Sequence, residues 1–426
     1  MRVKSTLTAA VAAAVLVAAP AAQAGPGSGP TASVSLGDSF ISGEAGRWQG
    51  NSNNQFGSRS GTDRAWVSTW YGGYYDTNRV YLGGSAANGC HRSDVAEVRT
   101  ATVPVSEKIN LSCSGAQTVN VFRAASGGQG QNGEAPQADQ LATVAGQKDV
   151  KLVVLSIGGN DLGFSSIIAA CVTNWTTSPS WAPNYCYDEQ QPNVDARMPA
   201  ARANVAKAID EVRAVMSGAG YAQSQYRLLL QSYPSPVSRA AENRYPESGW
   251  SRLDTGGCPF WNRDLDWARD SLVAQIASNL RSVASSKGVQ FLELRDSMQG
   301  REVCSRATSL ATGSNPPSQT RSEWMRFLVS GIGQGDLQES FHPNAYAQRA
   351  LGRCLTLIYG QATGDFACRN TAGQGYASMT LSALAPAAAA RTQSAAPETT
   401  AAAPVAAPKW PPAYPSRARR DGRGPR

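Results

Sequence analysis

A serine in Gly37-Asp38-Ser39-Phe40, directly after the apolar stretch Val34-Ser35-Leu36, and two histidines, His91 and His342, are the residues here whose types suit nucleophilic chemistry. A serine hydroxyl attacks only when a base takes its proton, and imidazole is the usual base near neutral pH. His342 stands in Glu339-Ser340-Phe341-His342-Pro343-Asn344, ahead of a helical pattern that Pro343 is suited to open. The positive end of that helix would bias the ring toward its neutral, proton-accepting form. His91, in Gly89-Cys90-His91-Arg92, neighbours a disulfide candidate and an arginine, which fits a surface or structural role better. Position therefore pairs Ser39 with His342. An orienter for the ring is available twice over, as the Glu339 carboxylate or a backbone carbonyl such as that of Ser340, and spacing does not choose between them.

Acyl transfer also needs donors aimed at a developing oxyanion. The stretch Leu155-Ser156-Ile157-Gly158-Gly159-Asn160-Asp161 combines two glycines with a side-chain amide at Asn160, and Cys113-Ser114-Gly115-Ala116 offers a backbone N–H at Gly115. Each block alone reads equally well as a turn or a helix cap. Together they fall at the ends of successive strand patterns, where open α/β sheets place ligands. Gly128-Gln129-Gly130-Gln131-Asn132-Gly133 matches the dinucleotide pattern, but the acid about 20 positions on is at best Asp149. It is read as a flexible glycine-rich loop, and no dinucleotide or other cofactor is expected.

The elements that must hold these groups follow from periodicity. Short apolar runs at 33–36, 118–122, 152–157, 228–230 and 289–294 predict strands buried on both faces. Between them, Val205, Ile209, Val212 and Met216 recur at helical spacing, as do Leu265, Ala268, Leu272 and Ile276, and then Leu351, Leu355 and Ile358. Alternation of the two patterns predicts an α/β fold with a central parallel sheet, as one domain over 25–380 without internal repeats. Two insertions, 172–197 and 233–263, are rich in Pro, Asn, Trp and Tyr. They are expected to be long loops, either tied down by disulfides and aromatic packing or shaping an apolar substrate groove.

The ends differ from the middle. Arg2 and Lys4, an apolar run and Ala22-Gln23-Ala24 read as a signal peptide over 1–24, which predicts a secreted protein. No other stretch is long and apolar enough for a transmembrane segment. From 381 to 426 the chain turns to Ala, Pro, Thr and Arg, the composition of a disordered tail. That tail holds seven basic residues against two acidic ones, so most of the formal charge of +8 belongs to the ends. No basic face for nucleic acid is implied. With 42% apolar residues among 426, the middle can bury a core. Eight cysteines in an exported chain predict disulfides, and nearest-neighbour pairing (Cys90 with Cys113, Cys171 with Cys186, Cys258 with Cys304, Cys354 with Cys368) closes loops of modest size. Two histidines and no Cys-x-x-Cys argue against a structural metal.

Taken in order, Gly37-Asp38-Ser39, Gly115, Gly159-Asn160-Asp161 and His342-Pro343 resemble the Ser-Gly-Asn-His blocks of the SGNH (GDSL) hydrolase superfamily, and within it the secreted actinobacterial-type lipases and esterases. The resemblance spans nearly all of residues 30 to 360. It implies a flavodoxin-like three-layer α/β/α fold and cofactor-free hydrolysis of carboxylic esters. It further implies Ser39 as nucleophile, His342 as base, and an oxyanion hole made of the Ser39 N–H, Gly115 and Asn160. Two positions depart from the pattern. Phe40 replaces the customary leucine, with an effect expected on packing alone. Glu339 stands where the family has Asp, and some relatives use a Ser-His dyad held by a main-chain carbonyl, a part the Ser340 carbonyl would then play.

The expected substrate is a small-molecule or lipid ester, handled by a monomer. Phospholipase A or B, acyltransferase and carbohydrate O-acetylesterase activities suit the same parts, and a peptidase suits them less. A secreted surface-binding protein, adhering through its basic tail, is the reading that needs no catalysis.

Overall fold

The computed structural model describes residues 26–54, 59–329 and 337–385. The leader expected at 1–24 and the chain after 385 lie outside them. Seven strands form one sheet: β1 (Thr31–Gly37), β4 (Glu107–Asn110), β5 (Asp149–Ser156), β6 (Arg227–Gln231), β7 (Gln290–Glu293), β8 (Phe366–Arg369) and β9 (Thr380–Ala383). Their order is β4-β1-β5-β6-β7-β8-β9, parallel except for the antiparallel pair β8–β9. A separate hairpin joins β2 (Trp66–Thr69) to β3 (Gly72–Tyr75).

The sheet is covered on both faces. Along β1, Ser33 and Ser35 are as deeply buried as Ala32, Val34 and Leu36, and Leu152 to Leu155 of β5 are buried without alternation, as parallel strands between helical layers require. Helices Gln137–Gln147, Tyr187–Gly218 and Val273–Lys287 pack in one group, while Glu97–Thr100 packs on Ala345–Tyr359. The result is a three-layer α/β/α sandwich. Each fully buried Leu or Val side chain in it contributes about 1.5–3 kcal/mol.

Strand order places the functional loops. The chain leaves β1 for β4 on one side and then crosses to β5 on the other, so the connections diverge at the carboxyl ends of β1 and β5. Such a switch point opens a crevice at the strand ends. Gly37 closes β1 there at φ +142°, where a Cβ would lie 1.9 Å from the Ser156 carbonyl oxygen. Only glycine lets the two strands stay this close while the chain turns.

Several local expectations are corrected. The segment 118–122 is not a strand: Thr118–Val121 is one helical turn, with Gln117 and Asn120 capping each other and Thr118 bonded to Asp161 through both its N–H and its hydroxyl. Those side-chain partners outweigh the β propensity of Thr-Val-Asn-Val. The strand beside β1 is β4 instead, whose Glu-Lys-Ile-Asn sequence carries no apolar run. The loop expected at 172–197 is mostly helix, the end of Phe164–Thr177 and the start of Tyr187–Gly218, joined by the Cys171–Cys186 disulfide. Pro192 and Pro199 lie inside the second helix, where Val194, Met198, Ala201, Val205, Ile209 and Val212 share a buried face whose packing outweighs them. The tail boundary expected at 381 falls inside β9, where Leu381 opposes Cys368. Composition missed it because the partner strand, rather than the strand's own residues, supplies the order. Helix Asn262–Asp266 continues through a π-helical stretch, Trp267–Leu272, into Val273–Lys287. The four disulfides join Cys90–Cys113, Cys171–Cys186, Cys258–Cys304 and Cys354–Cys368.

Candidate active site

Asp38 N-caps the short helix Ser39–Ser42, its Oδ1 accepting from the Phe40 N–H at 3.1 Å. The turn-and-cap reading of the Gly-Asp-Ser triplet therefore holds. The cap sets Ser39 as the first helical residue at the switch point. Its hydroxyl Oγ lies 2.7 Å from His342 Nε2, across 303 positions of chain. The other ring nitrogen, Nδ1, lies 2.9 Å from the carbonyl oxygen of Ser340. That carbonyl can only accept, so Nδ1 carries the proton and Nε2 presents a lone pair to the serine.

Glu339 does not hold the ring. Its carboxylate is turned away and accepts from the Trp48 indole N–H and the Tyr81 hydroxyl. Trp48 is fully buried, with the guanidinium of Arg326 at 3.7 Å from its ring centroid and those of Arg59 and Arg47 at 4.6 and 4.8 Å. Burial pushes the Arg326 guanidinium down to about 9, against the pull of Glu339. The histidine loop is also stitched to its neighbour through Arg326 N–H to the His342 carbonyl and Phe341 N–H to the Arg326 carbonyl. Phe341 sits at φ +61° with its ring buried against Phe260, a conformation that this surrounding framework maintains. The helix expected to open at Pro343 begins at Ala345, because Asn344 is the N-cap and accepts from the N–H groups of Tyr346 and Ala347.

The two glycine segments meet beside this pair. Asn160 Nδ2 donates to the Ala116 carbonyl at 2.9 Å, and Gln117 Nε2 donates back to the Asn160 carbonyl at 3.3 Å. Gly115 has φ +77° with nothing nearer to a would-be Cβ than Gln131 Nε2 at 3.4 Å, so its backbone conformation, more than crowding, calls for glycine. Gln131 donates to the Ser114 carbonyl, which makes the supposedly free glycine-rich loop a brace for this turn. Tyr233 ties the segments to the nucleophile's cap: its hydroxyl accepts from the Gly159 N–H at 3.1 Å and donates to Asp38 Oδ2 at 2.5 Å.

Burial dominates the electrostatics. It holds the His342 imidazole below its ordinary pKa of 6.5, even though Glu44 and the Ser340 carbonyl pull the other way; the expected helix-end effect is not the leading cause. It pushes the Asp38 carboxyl up to about 7, against the hydrogen bonds from Tyr233 and Phe40. Glu44 ends below the usual carboxylate range, because His91 beside it outweighs the burial cost. His91 is thus not a surface residue: it is buried, with Nδ1 3.0 Å from Glu44 Oε1, while Ser114 donates to Glu44 Oε2 at 2.5 Å.

Aromatic rings wall the pair. Phe40 lies 4.9 Å from the His342 ring, 5.3 Å from Phe164 and 5.2 Å from Tyr233. The leucine-to-phenylalanine change therefore reaches the imidazole itself, beyond general packing. Sequence reasoning missed Glu44, Trp48, Phe164 and Tyr233. Tyr233 was findable, since it follows the buried strand β6 at the same sheet end as the other functional loops. A cluster with metal-ligand spacing, Cys171, Cys186 and Asp264, has its sulfurs bonded to each other, and Asp264 accepts from the N–H groups of Cys186 and Tyr187.

Residues 35–350 match the GDSL-like lipase/acylhydrolase family. Among solved structures, an extracellular lipase from Streptomyces rimosus is similar at 19% identity and a TM-score of 0.41, covering 78% of this chain and 100% of its own. A phospholipase A1 from Streptomyces albidoflavus follows at 18% identity, TM-score 0.39, with 77% and 98% covered. A carbohydrate acetylesterase from Sinorhizobium meliloti shares 12% identity at a TM-score of 0.30, with 77% and 98% covered. No curated protein matches the chain. With the family's pattern running from β1 to the helix behind His342, the chain belongs to the GDSL-like lipase/acylhydrolase family and is a carboxylic ester hydrolase.

Proposed function

We propose that the protein is a secreted serine esterase acting on lipid acyl esters through a Ser39–His342 dyad. The observation that carries this reading is the 2.7 Å contact between Ser39 Oγ and His342 Nε2, with Nδ1 bound to the Ser340 carbonyl. In the first half-reaction Ser39 Oγ bonds to the ester carbonyl carbon while its proton passes to Nε2. The carbonyl oxygen takes the negative charge, received by the N–H groups of Ser39 and Gly115 and the second amide proton of Asn160. The C–O bond to the alcohol then breaks, and imidazolium returns its proton to the departing oxygen. Water repeats the sequence on the acyl enzyme and releases the acid.

The Ser340 carbonyl keeps the ring in the required tautomer, and Glu339 anchors the loop that presents this carbonyl. Phe40, Phe164 and Tyr233 flank the reacting atoms with apolar surface, which favours an acyl chain over an acetylated sugar. Four disulfides support export. Among the described residues, no helix is long and apolar enough to cross a membrane.

Replacing Ser39 by Ala tests the reading. Turnover of p-nitrophenyl butyrate should fall by at least about 10⁴-fold with the circular dichroism unchanged; retained turnover would overturn it. A series from acetate to palmitate tests the substrate class, and a rate highest on acetate and negligible beyond butyrate would exclude lipid esters.

A further inference from the structure

The helix Phe164–Thr177 begins at the active site, with the Phe164 ring 6.2 Å from that of His342, and its last turn carries Trp175. At 1.5 Å per residue Phe164 and Trp175 lie roughly 16 Å apart along the axis. At the far end Trp175, Trp250 and Trp261 surround an open cavity of about 170 Å³, which Glu247 also lines. The Trp175 ring lies 6.3 Å from Trp250 at 84° and 6.1 Å from Trp261 at 47°, an arrangement of walls instead of a flat stack. Trp175 and Trp261 are buried, whereas Trp250 is 64% exposed and closes the open side.

The polar atoms around this cavity narrow its ligand. Trp175 Nε1 donates to the Glu247 carbonyl and Trp261 Nε1 to Ser178 Oγ, both at 3.2 Å. Ser178 in turn donates to the Asn174 carbonyl and accepts from the Asn184 N–H. The two buried indoles thus have their N–H groups spent, as is the hydroxyl between them, while the exposed Ser180 and Ser248 line the rim. Glu247 Oε1 accepts from the Asn262 N–H at 2.7 Å, which fixes the carboxylate beside Trp261. Among the described residues no cationic side chain reaches ion-pair distance of that carboxylate. Arg252, buried behind it, feels the carboxylate through its charge but spends its hydrogen bonds on the Phe260 and Tyr245 carbonyls and on Asn262.

Aromatic faces next to a carboxylate suit a cation, and a buried wall whose indole N–H groups and Ser178 hydroxyl are spent suits a cation that has no N–H to satisfy there. A hydrocarbon chain would have to desolvate the carboxylate without return. From this charge and ring complementarity we infer that the groove binds a quaternary ammonium group of the choline type. Attraction of such a cation to a tryptophan face acts within about 6 Å of the ring centroid. The site is built by the two aromatic insertions and does not depend on the chemistry assigned to Ser39.

The test is calorimetric titration of the full chain with choline, against its neutral carbon isostere 3,3-dimethylbutan-1-ol. Choline should bind saturably and the isostere at least about tenfold more weakly. Trp250→Ala and Glu247→Gln should each weaken choline by about fivefold or more, while p-nitrophenyl butyrate turnover and melting temperature stay unchanged and Ser39→Ala binds normally. Dihexanoyl-phosphocholine below its micelle concentration distinguishes the source: tighter binding than choline marks a lipid headgroup, equal binding the free base. Equal affinity for choline and its isostere would overturn the inference, as would no saturation with choline. Saturable binding of xylohexaose that Trp250→Ala abolishes would overturn it in favour of a glycan.

Discussion

His342 and His91 are both buried, both lie within electrostatic reach of Glu44, and both bring Nδ1 to about 3 Å from an oxygen, 2.9 Å in one and 3.0 Å in the other. They differ in what that oxygen is. His342 meets a neutral carbonyl, which fixes the tautomer without paying for a proton on the ring, and its Nε2 faces a serine hydroxyl. His91 meets a carboxylate, which it holds below the usual carboxylate range, and the pair is a structural tie. Through Ser114, that tie grips the turn preceding Gly115. One residue type thus performs two jobs, and the acceptor at Nδ1 decides which.

The sharpest way to break this comparison is His342→Ala, which should lower kcat for p-nitrophenyl butyrate by at least about 10⁴-fold while leaving the urea midpoint close to wild type. Asn160→Ala removes one oxyanion donor and should cost about 10²- to 10³-fold in kcat with little change in KM. Protonation of His342 abolishes the base, so rates should fall up to tenfold per pH unit on the acid side. Because burial holds its pKa below 6.5, the rate at pH 6.5 should exceed half its plateau; an acid limb centred at pH 7 or above would mean that a carboxylate holds the ring at Nδ1 after all.

The remaining predictions concern residues that position rather than react. Glu339→Gln keeps an amide oxygen to accept from the Trp48 N–H and offers its amide N–H to the Tyr81 hydroxyl, so kcat should drop by less than about tenfold and the acid limb should not move. A loss approaching 10⁴-fold, the scale seen when a triad carboxylate is neutralised, would restore Glu339 as orienter. His91→Ala should leave kcat within about tenfold of wild type yet destabilise the fold by about 3 kcal/mol at pH 7, since it strands Glu44 in the interior. Glu44 is depressed in the folded state, so its stabilising contribution is present above the unfolded carboxyl pKa of 4.5 and is lost as pH falls through the lower folded value. Urea midpoints of wild type and variant should therefore converge in acid. A constant gap across pH would show that His91 acts by packing alone.

How far the chain could be read in advance follows from the range of the interactions. The strands at 33–36 and 152–157 were legible because they are buried on both faces and carry only apolar residues and small serines. The strand β4 was not, because an edge strand is ordered by its neighbour's hydrogen bonds and can be written in charged residues. Prolines hid the start of the helix Tyr187–Gly218, and composition hid β9, each for want of the partner that orders it.

Chemical type and chain order by themselves determined the sheet class and which serine, histidine and glycine-rich turns the proposed mechanism rests on, since a nucleophile, a base and close backbone approach each need particular side chains or none. Which oxygen holds the imidazole was decided only in three dimensions. Glu339 and Ser340 lie three and two residues before His342, and both are able to accept its proton. The burial of Trp48 and Tyr81 claims the carboxylate and leaves the ring to the carbonyl, because a buried charge goes where hydrogen-bond donors converge and a linear spacing does not record where those donors come from.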